Sequence, residues 1–454
     1  MISFFQNIYN YIFFIIIVKF FLISNLAFSN FIRDTEIENI LDQWASPIFE
    51  VAGISPESIK INLIADPNIN AFVTEGKNMF INTGLIIKAG SANGLIGVIA
   101  HETGHIAGGH IIKLKQTIRR LQDNQFFTSL LGVGVLVLSS QNDNFKNNRT
   151  DIAKTVLSVA PSLAEKTFYS YSRGNEYVAD SLAIKYLKKV NRNPSALSII
   201  LEKLYGQELL ILERQDPFLR THPLSKERMD IIKQKASNNN IPESNHDKIA
   251  YLRIKAKLEG FLENPGKILL KNKGDSIHER YARSIAYFRA PMYKNSIKEI
   301  DLLLRDYPKD PYFMELKAQV YSENGHKEKA IIMYKKSLKI IPDSPLIMLS
   351  LSGLLLEGKK NIKRTTEARK YVEKVIQIEP ENILAWHLKG IIHSNLGEVI
   401  EADLSAAEEF LRRRDFKIAN YFAKKVIKNS KKFSSHNLRA SDIIKILSQN
   451  KIKG

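Results

Sequence analysis

The sequence predicts an α+β chain, mainly helical, with a small β-sheet among the helices of its first half and an α-solenoid of stacked helix pairs in its second. Three observations predict it. Apolar Leu95, Val98, Ile99 and Ile106 recur at helical spacing around the run His101-Glu102-Thr103-Gly104-His105. Lys60 to Ala65, Asn70 to Thr74 and Met79 to Thr83 read as short strands, with Glu75-Gly76-Lys77-Asn78 as a turn between the last two. Pro308 and Pro342 stand 34 residues apart, the spacing of a repeated helix pair. A chain of 454 residues is too long for one core and suits two or three domains.

At the N-terminus, Ile12 to Leu26 is apolar apart from Lys19, Ser24 and Asn25, and Ala27-Phe28-Ser29 supplies the small residues a signal peptidase needs. Residues 1–29 therefore read as a secretory signal peptide. Met1 to Asn10 carries no lysine or arginine, which keeps an uncleaved membrane anchor as the alternative. The absence of cysteine fits an exported protein without disulfides and excludes thiolate ligands for a metal.

On the helix that follows the strands, His101 and His105 are four residues apart and project from nearly one face, so they can chelate one metal ion. Glu102 lies beside them, placed to take a proton from water at that ion. Asn93 is the expected N-cap. Gly97, Gly104, Gly108 and Gly109 sit in or at the end of the helix, and each interior one costs about 1 kcal/mol relative to alanine, so close packing against them is expected. A third histidine on an extended form of the motif would stand at 111, where the chain has Ile111. His110 on a continued helix lies about 180° from His101 and about 140° from His105, and reads as facing away, structural or solvent-exposed.

The other source of a third ligand is Asn175-Glu176-Tyr177-Val178-Ala179-Asp180, in a helical pattern running from Ile152 to Lys189. Glu176 and Asp180 share a face. Glu176 would complete a His, His, Glu site with an open position, which favours zinc, one ion per chain. Asp180 could accept the outer ring N–H of a ligand histidine. Taken alone, an exposed acidic pair is the simpler reading of these two residues. Phe126 to Leu138, between the two motifs, spans about 13 residues, short of the ~20 of a bilayer crossing, and reads as a buried helix or lid. Gln141 to Arg149 reads as an exposed loop.

The runs Gly97 to His105 and Arg173 to Asp180 resemble the gluzincin metallopeptidases of the HtpX and CAAX prenyl protease type. Thr221-His222-Pro223, followed by Arg228, is similar to the periplasmic, BepA-like branch of that family. The resemblance implies a zincin-like metalloprotease domain, His222 as a fourth, inhibitory ligand, and Arg228 as a support of the active site. It also places Asn70-Ala71-Phe72 and Asn82-Thr83-Gly84 in a sheet whose edge pairs with an extended substrate. Edge addition of that kind uses backbone hydrogen bonds with little side-chain readout.

After Asn264-Pro265-Gly266 the chain becomes repetitive. Counting from Pro311, the residues Ala318, Tyr321, Ala330, Tyr334 and Pro342 occupy the small, aromatic, small, aromatic and helix-ending positions of a tetratricopeptide repeat. A second repeat runs from Pro345 to Pro380, its extra residues absorbed between Gly358 and Lys363. Trp386, Gly390 and Ala402 belong to a third from Ile383, and a degenerate one ends at Pro308. The expected division is a signal peptide at 1–29, a zinc metalloprotease domain at 30–263, a linker at 264–275, repeats at 276–430 and a basic tail at 431–454.

The formal charge of +19 is spread over both halves without an aromatic-interleaved stripe, so nucleic acid is not an expected partner. Peripheral attraction to anionic membrane surfaces stays open, although a lysine- and asparagine-rich codon usage accounts for the charge. The expected function is that of a periplasmic zinc endopeptidase with His101, His105 and Glu176 as ligands and Glu102 as base. By the resemblance, it acts on misfolded or stalled outer-membrane proteins, with the repeats docking on the barrel-assembly machinery. Two alternatives stand beside it: an assembly factor with a latent protease site, and a membrane-anchored protease.

Overall fold

The computed structural model describes residues 31–74, 78–110, 173–204, 222, 226–236 and 241–451. The leader at 1–29, most of the turn at 75–77, the run Phe126 to Leu138, the stretch Gln141 to Arg149, the helical pattern from Ile152 up to residue 172, and both Thr221 and Pro223 lie outside the described residues. The chain divides into two compact units, one reaching to Arg33 and running from Ile37 to Leu258, the other comprising Asp34–Glu36 and Glu259–Gly454. Among the described residues no helix is long and apolar enough to cross a membrane.

The first unit holds four strands: β1 (Phe31–Ile32), β2 (Lys60–Ile64), β3 (Ala71–Thr74) and β4 (Asn78–Asn82). Their order is β1-β2-β4-β3, with β2 and β4 parallel and the other pairs antiparallel. The three strands read from the sequence are therefore present to within a residue at each end, and the segment from Ala71 forms an edge of the sheet. Alternation fixes the faces: Leu63, Met79 and Ile81 turn into the core, where a one-residue slip would expose them.

Around the sheet lie α1 (Thr35–Val51), α2 (Thr83–Lys88), α3 (Ala92–Ala107), α4 (residues 173–189), α5 (Ala196–Leu204), α6 (Lys226–Ala236) and α7 (Asn245–Leu262). Leu41, Ile48, Leu95, Ile99, Leu187, Ile200 and Ile254 from these helices bury one another in a single core. Helix α3 is capped by Ser91, whose hydroxyl accepts from the Gly94 N–H at 3.1 Å. The expected cap, Asn93, instead sits inside the first turn and gives its backbone N–H to Glu243 at 2.8 Å.

The glycines of α3 are where its neighbours press closest. A methyl group on Gly97 would lie 2.4 Å from the backbone nitrogen of Leu197 in α5, and one on Gly104 would lie 2.7 Å from the carbonyl oxygen of Ala179 in α4. The expected close packing is thus found on two sides.

In the second unit the junction read at 264–275 is not irregular: α8 (Pro265–Lys271) occupies its middle. Asn264 and Pro265, which suggest a break in sequence, are an N-cap and first-turn residue, with Asn264 Oδ1 accepting from Lys267. Five helix pairs follow: α9 (Ile277–Arg289) with α10 (Tyr293–Asp306), α11 (Pro311–Glu323) with α12 (Lys327–Ile340), α13 (Pro345–Leu356) with α14 (Ile362–Ile378), α15 (Ile383–Leu396) with α16 (Val399–Arg412), and α17 (Phe416–Asn429) with α18 (Ser435–Lys451). Ala318, Ala330, Tyr334 and Ala368 are buried, as their repeat positions require. Residues 357–361 take up the extra length of the second repeat.

The segment read as a basic tail at 431–454 is mostly the helix α18. Its Ala440, Ile443 and Leu447 are buried with Ala407, Ala419, Ala423 and Val426. The spacing of those three apolar residues is helical, but lysines and polar residues are interspersed with them and conceal it.

Candidate metal centre

Four residues apart on α3, His101 and His105 bring their Nε2 atoms within 3.0 Å of each other. Helix α4 crosses at Gly104, and that contact sets Glu176 against the pair: its two carboxylate oxygens lie 3.3 Å from His101 Nε2 and 3.2 Å from His105 Nε2. His222 fills the remaining corner, with Nδ1 3.2 Å from His101 Nε2 and 3.1 Å from Glu176 Oε2. The ligand atoms of these four buried residues all lie within 4.8 Å of one another.

Protons cannot satisfy such a set. One ring nitrogen, His101 Nε2, has three electronegative neighbours at 3.0–3.3 Å and can hold one hydrogen at most. A tetrahedral ion with ligands at the usual metal–nitrogen distance has edges of about 3.3 Å, so a metal cation at the centre fits the residues present.

The outer ring atoms are also engaged. His101 Nδ1 lies 2.9 Å from Asp180 Oδ1, and His105 Nδ1 lies 2.9 Å from His110 Nδ1. His110 is buried behind His105 and outside the four-residue cluster, so of the two readings it is the structural one and not the solvent-exposed one, although the helical angles do not hold. The helical extrapolation fails because α3 ends at Ala107 and Gly109 takes a φ of +64°, which turns the chain back toward His105.

Arg228 binds the acidic side of the site. Its Nε and Nη2 donate to the two oxygens of Asp180 at 2.5 and 2.9 Å, and Nη1 lies 2.9 Å from Glu176 Oε2. Burial opposes ionisation of Glu176 and Asp180, but the cations around them outweigh it and hold Glu176 well below the usual carboxylate range and Asp180 at about 2. For His101, burial disfavours the cation, while Asp180 and Glu176 overcome it and raise the ring to about 9. Burial, with His101 beside it, pushes His105 down to about 3.

Glu102 is fully buried next to this group. Burial raises its carboxyl above the ordinary value. Among the described residues neither oxygen has a hydrogen-bond partner, and His222 Nε2 lies 3.4 Å from Oε1.

Asn70, Ala71 and Phe72 lead into the edge strand β3, which packs against α3. Ala71 is buried and Phe72 stacks on Phe80 with ring centroids 5.0 Å apart, so the segment has mainly backbone to offer a ligand.

A helix-borne His-Glu-x-x-His pair, closed by a glutamate from a second helix and carried beside a small sheet, defines a metallopeptidase. Residues 32–236 match the model of Peptidase family M48, and residues 312–344 match that of a tetratricopeptide repeat. Residues 32–236 thus carry an M48-type metallopeptidase region, and tetratricopeptide repeats follow it. Among curated proteins it is similar to the beta-barrel assembly-enhancing protease of Yersinia pestis, 23% identical over 307 residues that cover 66% of this chain and 61% of that protein. The protein of that name from Escherichia coli (strain K12) is 25% identical over 313 residues, 65% of this chain and 60% of its own length. The mitochondrial metalloendopeptidase OMA1 of Schizosaccharomyces pombe is 26% identical over 187 residues, 41% of this chain and 49% of the yeast protein. The chain thus spans about three fifths of the length of the two bacterial relatives.

Proposed function

We propose that this metallopeptidase is a zinc endopeptidase of the periplasm, exported by residues 1–29, that cleaves misfolded or stalled outer-membrane proteins and assists their assembly. The observation that carries the reading is the convergence of His101, His105 and Glu176 from two helices, with the unpartnered Glu102 carboxylate alongside. The names of the two bacterial relatives support the substrate class and a link to barrel assembly.

In this reading His101, His105 and Glu176 hold zinc, whose Lewis acidity activates the scissile carbonyl and the attacking water. The β3 edge at Ala71 to Thr74 holds the substrate backbone extended by strand addition, with Asn70 at its start. Glu102 takes a proton from the water as its oxygen bonds to the carbonyl carbon. It then delivers that proton to the amine nitrogen as the C–N bond breaks, a double duty suited to a carboxyl whose proton affinity is raised by burial. Asp180 fixes the His101 ring, and Arg228 neutralises Asp180 and Glu176 so that two acids can stay ionised in a dry site. The repeats dock on protein partners such as the barrel-assembly machinery.

Replacing Glu102 with Gln tests the chemistry: cleavage of an unfolded protein should fall by roughly 10²–10⁴-fold while bound metal is unchanged. Undiminished proteolysis overturns the mechanism. One observation favours a second reading, in which the chain is chiefly an assembly factor with a latent site: His222 already occupies the fourth corner, where substrate or water would enter.

A further inference from the structure

We infer that His110 is a positioning residue for the metal centre, holding the His105 ring in the one tautomer that can bind a cation. The inference rests on the metal-binding reading above and assigns a role to a side chain outside the ligand set.

Three observations carry it. First, a histidine that offers Nε2 to a cation must, when neutral, carry its proton on Nδ1. For His101 the group beside Nδ1 is the Asp180 carboxylate, 2.9 Å away. For His105 the corresponding atom is His110 Nδ1, also at 2.9 Å, so His110 accepts there and carries its own proton on Nε2. Second, both rings are buried, His105 at 8% and His110 at 5% exposure, where a misdirected ring N–H is costly. Third, the backbone is shaped to bring His110 back. Gly109 adopts the left-handed region, and a methyl group on Gly108 would fall 2.4 Å from His110 Nε2 and 2.8 Å from two ring carbons. The His110 ring occupies the space that any side chain at 108 would need.

The two ligand histidines are therefore oriented by different means, His101 by an anion and His105 by a neutral ring. The difference has a reason in charge. Glu176, Asp180 and Glu102 already place three carboxyl groups in the site against the Arg228 guanidinium. A fourth acid behind His105 would add buried negative charge without a partner, whereas an imidazole supplies the same acceptor and no charge.

The test uses the full chain, stripped of metal and titrated with zinc and with cobalt against a chromophoric chelator. His110→Phe keeps an aromatic ring and removes the acceptor. It should lose about 10–100-fold in metal affinity and change the cobalt ligand-field spectrum. His110→Asn sets a carbonyl oxygen where Nδ1 stood and should recover most of the affinity and the spectrum. Gly108→Ala, which displaces the ring while leaving both histidines, should resemble His110→Phe. Thermal unfolding of the metal-free proteins separates orientation from general damage. If His110→Phe binds zinc as the parent does, or if His110→Asn is as weak as His110→Phe, the inference is overturned. A parent chain that takes up no metal would instead remove the reading on which it rests.

Discussion

Single side chains decide what this site can do, and His222 shows how. Its ring lies 3.2 Å from His101 Nε2 and 3.4 Å from the Glu102 carboxyl group, so one residue sits against both a nitrogen of the cluster and the neighbouring acid. If it is a gate, His222→Ala should raise peptidase turnover severalfold with metal retained; a fall in turnover with metal retained assigns it to catalysis instead. At this scale the sequence was legible wherever function follows from local spacing. The pairing of His101 with His105 needs only the pitch of a helix. Glu176 was found through its motif, since nothing in the periodicity of residues 173–189 says which helix it faces. His110 was misplaced because a two-glycine turn breaks the extrapolation, and the clue available was Gly108-Gly109 itself.

The elements meet through what is missing from them. Helices α3 and α4 approach at Gly104, where the carbonyl oxygen of Ala179 fills the space of an absent Cβ. Gly104→Val must push α4 outward, carrying Glu176 away from the two imidazoles. Overpacking of this kind costs about 1–3 kcal/mol, measurable by urea titration. Here it should also weaken zinc uptake, which a surface substitution of equal stability cost would leave alone. The unexplained glycines were visible in sequence as a cost without a benefit, and the structure supplies the benefit. Helix starts were read less well. Asn93 and Ser91 are both good caps by type, and the choice between them depends on Glu243, 150 residues away, taking the Asn93 N–H.

For the molecule as a whole, the segment read as a basic tail is mostly the helix α18. Helix α18 buries its apolar residues against α16 and α17, and Ile443→Ala should cost about 2–5 kcal/mol in the unfolding of the second unit. The same end holds Glu408, buried between Arg412 and Arg439 at 2.6 and 2.5 Å. Burial acts to raise its pKa, but the two guanidinium groups prevail and hold it below its ordinary 4.5. A carboxyl lowered in the folded state stabilises at pH above its unfolded value and loses that contribution as pH falls through the folded one. Stability should therefore decline as the solution is acidified below about pH 4.5, and Glu408→Gln should flatten that decline while weakening the protein at neutral pH. Period and proline spacing made the repeats legible. The lysines around Ala440, Ile443 and Leu447 hid the last helix, because composition averages away a three-residue stripe.

Arg228 shares its donors unevenly, with short bonds to Asp180 and Glu176 and a single 3.4 Å bond to the carbonyl of His222. Displacing His222 would break the longest of these Arg228 bonds, together with the contacts of its own ring, and would leave the shorter ones to the carboxylates intact. The two carboxylates that face the histidine pair can therefore keep their places when His222 moves.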